Sequence, residues 1–279
     1  MRFVDVVHSA LYGTVQGITE WLPISSTAHL MLLEWWAPAG VSKEFFNLFL
    51  VSVQLASALA VFVLYFRWLC PIPRRGECVA YAPHLSLWGR MLVGCLPAAF
   101  VGLFLDDAVE RFFSSPKRGA AMIAAALAFY GILFVLGERF FFKKQRKSSY
   151  LGAMPYRDAL IIGAFQILAL VPGTSRSGAT VLGAMLMGYD RGRAAEFSFF
   201  LSLPVMLGAT LLRAAKFVLS GARPSGDEVA FLVLGCAAAF LVSLATLRFL
   251  IDFVSRYGFA AFGWYRLALS ALIFCTFLL

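Results

Sequence analysis

The sequence predicts an all-α polytopic membrane protein, with six transmembrane helices and two re-entrant helical hairpins arranged as an inverted-topology internal repeat. Three observations carry that expectation. The 279 residues are 61% hydrophobic and 14% charged, and the mean hydropathy of +0.82 lies outside the range of ordinary soluble domains. The apolar runs are continuous rather than alternating, which argues against a transmembrane β-barrel. Two polar stretches, Glu20-Trp-Leu-Pro-Ile-Ser-Ser-Thr-Ala-His29 and Pro172-Gly-Thr-Ser-Arg-Ser-Gly-Ala-Thr180, interrupt apolar sequence. At membrane depth such groups are costly and point to function.

Taken in order, residues 4–22 and 25–37 form a broken apolar pair, and 45–66, 86–105 and 119–138 are long enough to cross a bilayer. A second broken pair, 158–171 with 175–188, is followed by spans at 195–216, 229–250 and 258–279. Each half of a broken pair is too short to span, the pattern of a hairpin that dips in and returns. Pro97 and Pro204 fall inside spans and are expected to kink them. Gly13-x-x-Gln16 recurs as Gly163-x-x-Gln166 at an offset of 150, and Pro23-x-Ser25-Ser26 recurs as Pro172-x-Thr174-Ser175 at 149. The chain thus reads as one integral membrane domain, 1–279, holding repeats of about 1–147 and 148–279. Because three spans follow each broken pair, the second repeat lies upside down relative to the first, an arrangement found in transporters.

The net charge of +9 follows from basic residues gathered in cytoplasmic loops rather than from a nucleic-acid surface. Loops near 67–90, 139–157, 189–193 and 248–256 hold fourteen Lys and Arg, against eight on the opposite side. The richer side is therefore cytoplasmic and both termini lie outside. Lys143-Lys-Gln-Arg-Lys147, joining the repeats, contributes most, and Arg74 and Arg75 add to it. An N-terminal signal peptide is not expected, because the apolar stretch runs directly into the Glu20 motif. The five cysteines, Cys70, Cys78, Cys95, Cys236 and Cys275, have no metal-ligand spacing and read as small hydrophobes.

In the first polar stretch Gln16 and Glu20 share a helix face, Pro23 ends that helix, and Ser25, Ser26 and Thr27 supply capping hydroxyls to the next. His29 falls one turn beyond Ser25 and Ser26, so a serine nucleophile with a nearby base is available. A capping motif with a satisfied core histidine is the plainer alternative. In the second stretch Gly173 and Gly178 flank Thr174, Ser175, Arg176 and Ser177, a composition suited to an anion at a helix N-terminus. Arg176 either clamps a phosphoryl group or simply neutralises Glu20. Glu196 with Ser198 reads as helix-terminal charge, Gln54 and Ser57 as interhelical hydrogen bonders, and Arg266 as a side chain that snorkels to the surface.

These motifs resemble those of the bacitracin-resistance family of integral membrane undecaprenyl-diphosphate phosphatases. Its members carry Glu/Gln-Gly-x-Thr-Glu-Phe-Leu-Pro-x-Ser-Ser-Thr-x-His, standing here as Gln16 to His29, and Pro-Gly-x-Ser-Arg-Ser-Gly-x-Thr, standing here as Pro172 to Thr180. Glu196-Phe-Ser-Phe and the spacing of the whole chain are also similar. The resemblance implies hydrolysis of a C55 polyprenyl diphosphate at the outer face of the bacterial cytoplasmic membrane, serving peptidoglycan synthesis, with Mg2+ or Ca2+ as cofactor. Glu20, Ser26, His29 and Arg176 are the expected catalytic set, Ser26 attacking with His29 as base and Glu20 binding metal or orienting the attacking group. In a rival assignment Glu20 activates water. Gln16, Ser25, Thr27, Thr174, Ser175, Ser177 and Thr180 are the expected substrate contacts. This chain departs from many members in having Gln16 rather than Glu, and Leu50 where an acid often stands. A polyprenyl-phosphate flippase is the alternative function, and monomer and homodimer both remain open.

Overall fold

The computed structural model describes residues 2–70, 81–113, 116–141 and 151–277. Arg74, Arg75 and the Lys143–Lys147 linker lie outside the described residues, as does the boundary between the expected repeats. Within the described residues the elements are all helices, joined by turns. α1 (Phe3–Thr19) and α2 (Ser26–Trp36) form the first broken pair, followed by α3 (Lys43–Leu64), the short α4 (Phe66–Leu69), α5 (Tyr81–Phe113) and α6 (Pro116–Leu136). The second pair is α7 (Tyr156–Phe165), prolonged by a 3₁₀ segment Gln166–Leu170, and α8 (Arg176–Leu186). Then come α9 (Arg191–Leu219), α10 (Gly226–Tyr257) and α11 (Ala260–Phe277).

Six helices are long and apolar enough to cross a membrane: Lys43–Leu64, His84–Phe104, Lys117–Arg139, Arg191–Leu219, Gly226–Tyr257 and Ala260–Phe277. They match the six expected spans to within a few residues, except that α9 and α10 run several residues longer. α5 and α9 continue helically through Pro97 and Pro204. Large apolar side chains such as Leu103, Leu211, Val233 and Phe274 stand exposed around the bundle, the surface that lipid rather than water would cover. The chain is an integral membrane protein.

Helix pairing is set by small residues, since bilayer lipid removes the hydrophobic drive between helices and leaves close packing to hold them. α1 buries Ser9, Tyr12, Gly13, Gln16 and Gly17, one stripe at helical spacing, against α10. A Cβ on Gly13 would lie 2.2 Å from the Gly235 carbonyl oxygen, and one on Gly17 would lie 2.7 Å from that of Ala239. α7 packs on α5 in the same manner, with Gly163 set so that a Cβ would fall 2.0 Å from the Gly94 carbonyl oxygen. α6 and α11 approach reciprocally through Gly131 and Gly263.

Each broken pair is also tied at its open end by an acid and a tyrosine. Tyr12 of α1 donates to Glu34 of α2, and Tyr189, just past α8, donates to Asp158 of α7 at 2.8 Å. At the far end of α6, Glu138 accepts from Arg191 at the start of α9 and from the Phe259 amide at the α10–α11 turn. Gly258 in that turn has φ 73° and leaves room for the carboxylate. The aromatic core gathers around the first half of α9, where Phe197, Phe199, Phe200 and Leu201 are all buried, as a helix passing through the middle of a bundle must be.

Gly163→Ala is expected to lower unfolding stability in detergent by about 1–3 kcal/mol through overpacking. Gly208→Ala, whose Cβ would meet nothing within 4 Å, should not lower it, as thermal unfolding of the two variants would show.

Candidate active site

Both polar stretches fold as turns that end one helix and cap the next. Glu20 closes α1, with its amide donating to the Gln16 carbonyl at 3.0 Å. Ser25, at φ 72°, caps α2, its Oγ accepting from the Ala28 amide. Ser175 caps α8 likewise, with Oγ accepting from the Gly178 amide at 3.1 Å. Serine is favoured at such positions because its hydroxyl satisfies an orphan helix donor. The structural caps, Ser25 and Ser175, stand 150 residues apart and so keep the register of Gly13 and Gly163. The proline match, offset by 149, pairs Ser26 with Ser175 instead and is one residue out of step.

The two turns meet on Glu20. Its side chain is 5% exposed, and Oε1 accepts from Arg176 Nη2 at 3.2 Å. Oε2 accepts from Ser26 Oγ at 2.7 Å and from Gln16 Nε2 at 2.9 Å. Ser177 Oγ donates to the Glu20 backbone carbonyl at 3.1 Å, fastening the second turn to the first. Arg176 Nη1 donates to the Ser198 carbonyl of α9 at 3.1 Å. Thr180 Oγ1 and Ser198 Oγ lie 2.6 Å apart, and Ser175 Oγ and Ser177 Oγ 2.9 Å apart. A carboxylate, a hydroxyl and a guanidinium thus share one small, largely buried volume, where charge-assisted hydrogen bonds are short and strong.

Other expected residues sit outside this cluster of contacts. His29 Nδ1 faces the Ser25 carbonyl at 2.7 Å, and Nε2 faces the Tyr265 hydroxyl at 2.8 Å. A carbonyl only accepts, so Nδ1 carries the proton and Nε2 accepts from Tyr265. The rings of His29 and Tyr265 also stack, 5.7 Å between centroids. Ser26 therefore turns to Glu20, not to His29. Thr27 is exposed at the start of α2, and Thr174 is buried in the second turn.

Three contributors escape the motif reading. Ser198 anchors Arg176, and its only sequence signal was the similar Glu196-Phe-Ser-Phe segment. Glu196 itself pairs with Arg193 on its own helix. Tyr265 and Arg266 come from α11, far from either motif. Arg266 does not snorkel: it is fully buried, and Nε donates to the Pro23 carbonyl. Ser57 Oγ, expected to bond between helices, is buried with no partner.

Among the described residues no group of three or more His, Cys, Asp or Glu forms a cation cage. Glu20 is the carboxylate of the site, and Gln16 Oε1 beside it is a buried acceptor with no partner. One carboxylate and one free amide oxygen suit an ion whose remaining ligands come from substrate phosphates and water, the usual way Mg2+ is held.

A family model, "Bacitracin resistance protein BacA", matches residues 9–272. The chain belongs to the BacA family. It is 42% identical over its full length to a protein of Lachnoclostridium phytofermentans named undecaprenyl-diphosphatase, covering 99% of that relative. It is 41% identical to an undecaprenyl-diphosphatase of Enterococcus faecalis, over 98% of each chain. A third relative of that name, from Lactiplantibacillus plantarum, is 40% identical over 99% of each chain. In this BacA chain both polar turns fall inside the matched region.

Buried ion pairs are coupled, because removing one partner strands the other. The unfolding stabilities of Glu20→Gln, Arg176→Met and the double variant should therefore be non-additive. The double variant is expected to be more stable than the sum of the singles by about 1–3 kcal/mol; additive losses would show the pair to be uncoupled.

Proposed function

We infer that the protein is a membrane hydrolase that cleaves undecaprenyl diphosphate to undecaprenyl phosphate and inorganic phosphate. The product is the lipid carrier that cell-wall synthesis reuses, and its recycling underlies bacitracin resistance. Family membership sets the reaction class. The observation that carries the chemistry is the Glu20 carboxylate, held at once by the Ser26 hydroxyl and the Arg176 guanidinium.

In this reading Ser26 Oγ attacks the terminal phosphorus, and its proton passes to Glu20 Oε2, already at hydrogen-bond distance. The bond to the bridging oxygen breaks and lipid phosphate leaves with the electron pair. Glu20 hands that proton to the departing lipid phosphate and is again a carboxylate. Water then attacks the phosphoserine, giving a proton to Glu20, which returns it to Ser26 Oγ as inorganic phosphate leaves. Arg176 exchanges Glu20 for phosphoryl oxygens as substrate enters, stabilising the charge on the transferring group. Ser175, Ser177 and the first amides of α8 present donors to the same oxygens. His29, engaged by Tyr265, lines the approach rather than serving Ser26. A divalent cation, Mg2+ or Ca2+, fits beside Glu20 and Gln16, where it would neutralise charge on the diphosphate oxygens.

The two broken pairs are read as re-entrant hairpins related by inverted repeats. What supports this is the cross-pairing of halves, α1 on α10 and α7 on α5, each through a glycine at matched register. The self-pairing of α6 with α11 sits where an axis would run. The site is placed at the outer face of the bacterial cytoplasmic membrane. The excess of basic residues on one side supports this orientation, among them Arg157 in the first turn of α7 and Arg191 and Arg193 in the first turn of α9.

Phosphate release from a polyprenyl diphosphate in detergent, where no transport is possible, tests the reading directly. Ser26→Ala is expected to fall to background, and a phosphoserine at Ser26 should be trapped on rapid quenching of the wild type. Full activity in Ser26→Ala would return the attack to a Glu20-activated water. Arg176→Ala should lose about 10³-fold in turnover. It should still purify as a folded protein, since Gln16 and Ser26 continue to donate to Glu20.

A further inference from the structure

We propose that Arg266 is a second diphosphate-binding guanidinium, taking oxygens of the same substrate that Arg176 grips. The proposal rests on the lipid-diphosphate reading above. Arg266 is 0% exposed, and only one of its three nitrogens is used: Nε donates to the Pro23 carbonyl. Nη1 and Nη2 are buried with no partner. The guanidinium lies near two aromatic rings, 5.6 Å from the Tyr130 centroid and 5.8 Å from that of Phe134. Ring faces offset part of a cation's desolvation but offer no hydrogen-bond acceptors of matching strength.

Its position explains what the spare donors are for. A Cβ on Gly178 would sit 3.4 Å from Arg266 Nη2 and 3.2 Å from Ser175 Cβ, so the guanidinium rests against the first turn of α8. There the Ser175 and Ser177 hydroxyls bond one another and the helix presents its positive end. Through the Pro23 carbonyl the same side chain touches the first turn. Arg266 therefore stands where the two turns converge, as Arg176 does, but without a carboxylate among its contacts. A buried guanidinium lacking a counter-charge is expensive, and a diphosphate supplies one. Arg176 is quenched by Glu20 until substrate arrives, whereas Arg266 is not. Two guanidiniums on separate helices suit a ligand with two phosphoryl groups better than one with a single group.

The test uses the intact protein in detergent with inorganic pyrophosphate and orthophosphate as probes, binding being read by calorimetry or thermal shift. Wild type is expected to prefer pyrophosphate. In Arg266→Gln that preference should fall at least tenfold while the unfolding midpoint without anion holds or rises, because an unpaired buried cation has gone. A purely structural tie to Pro23 predicts the opposite: a lower midpoint with the preference kept, and that result would overturn the proposal. Arg266→Lys, which keeps the charge but loses the fork, should show an intermediate preference. Should the Gln variant not fold, a wild-type preference in Arg266→Lys would overturn the assignment in its place. If wild type bound neither anion, the diphosphate reading itself would fail. Retention of the wild-type preference in the variants would remove Arg266 alone.

Discussion

The meeting of Glu20 with Arg176 is the constraint around which the rest of the molecule is arranged. The two residues are 156 positions apart, Glu20 at the end of α1 and Arg176 at the start of α8. Neither charge could be buried alone, because desolvation of an unpaired ion outweighs anything its own turn could offer. The fold must therefore deliver both turns to the same point. Glycine contacts that seat α1 on α10 and α7 on α5 fix how far each helix slides past its neighbour. That registration places Glu20 Oε1 within reach of Arg176.

The long helices do more than hold the turns. α9 passes through the centre with its first half fully packed, and it offers a backbone carbonyl to Arg176 and a hydroxyl to Thr180. α11 contributes two consecutive residues, Tyr265 to His29 and Arg266 to the Pro23 carbonyl. The site is thus assembled from four places in the chain, with Ser198, Tyr265 and Arg266 on long helices and Glu20, Ser26 and Arg176 at the two turns. Such an arrangement suits chemistry that depends on fixed donors around a developing negative charge.

The spans and broken pairs were legible in the sequence because membrane insertion imposes a length and an apolarity that survive in composition alone. The pairing of Glu20 with Arg176 was also open to anticipation, since two opposite charges in apolar sequence have few other partners. Local spacing misled for His29. One helical turn puts it near Ser25 and Ser26 in sequence, but the Ser25 carbonyl captures Nδ1 and turns the ring toward Tyr265. Arg266 was misread for a similar reason. A lone arginine near a helix end ordinarily reaches for the interface, and only the position of Pro23 in space shows that it has an inward target. Tyr265 and Arg266 were invisible as site residues because proximity across 236 and 243 positions leaves no trace in a single sequence, whereas Ser198, 22 positions from Arg176, carried only the Glu196-Phe-Ser-Phe signal.

The pairing of α1 with α10 also has a consequence for biogenesis. Gly235 and Ala239, whose carbonyls α1 approaches closely, lie beyond position 230, so that helix emerges from the ribosome long before its seat is complete. Arg176 is made before that seat, so until α10 is in place the first turn has no fixed position from which Glu20 meets the guanidinium. Completion of the polypeptide, rather than local folding of its N-terminal segment, is then the event that fixes the two polar turns against one another.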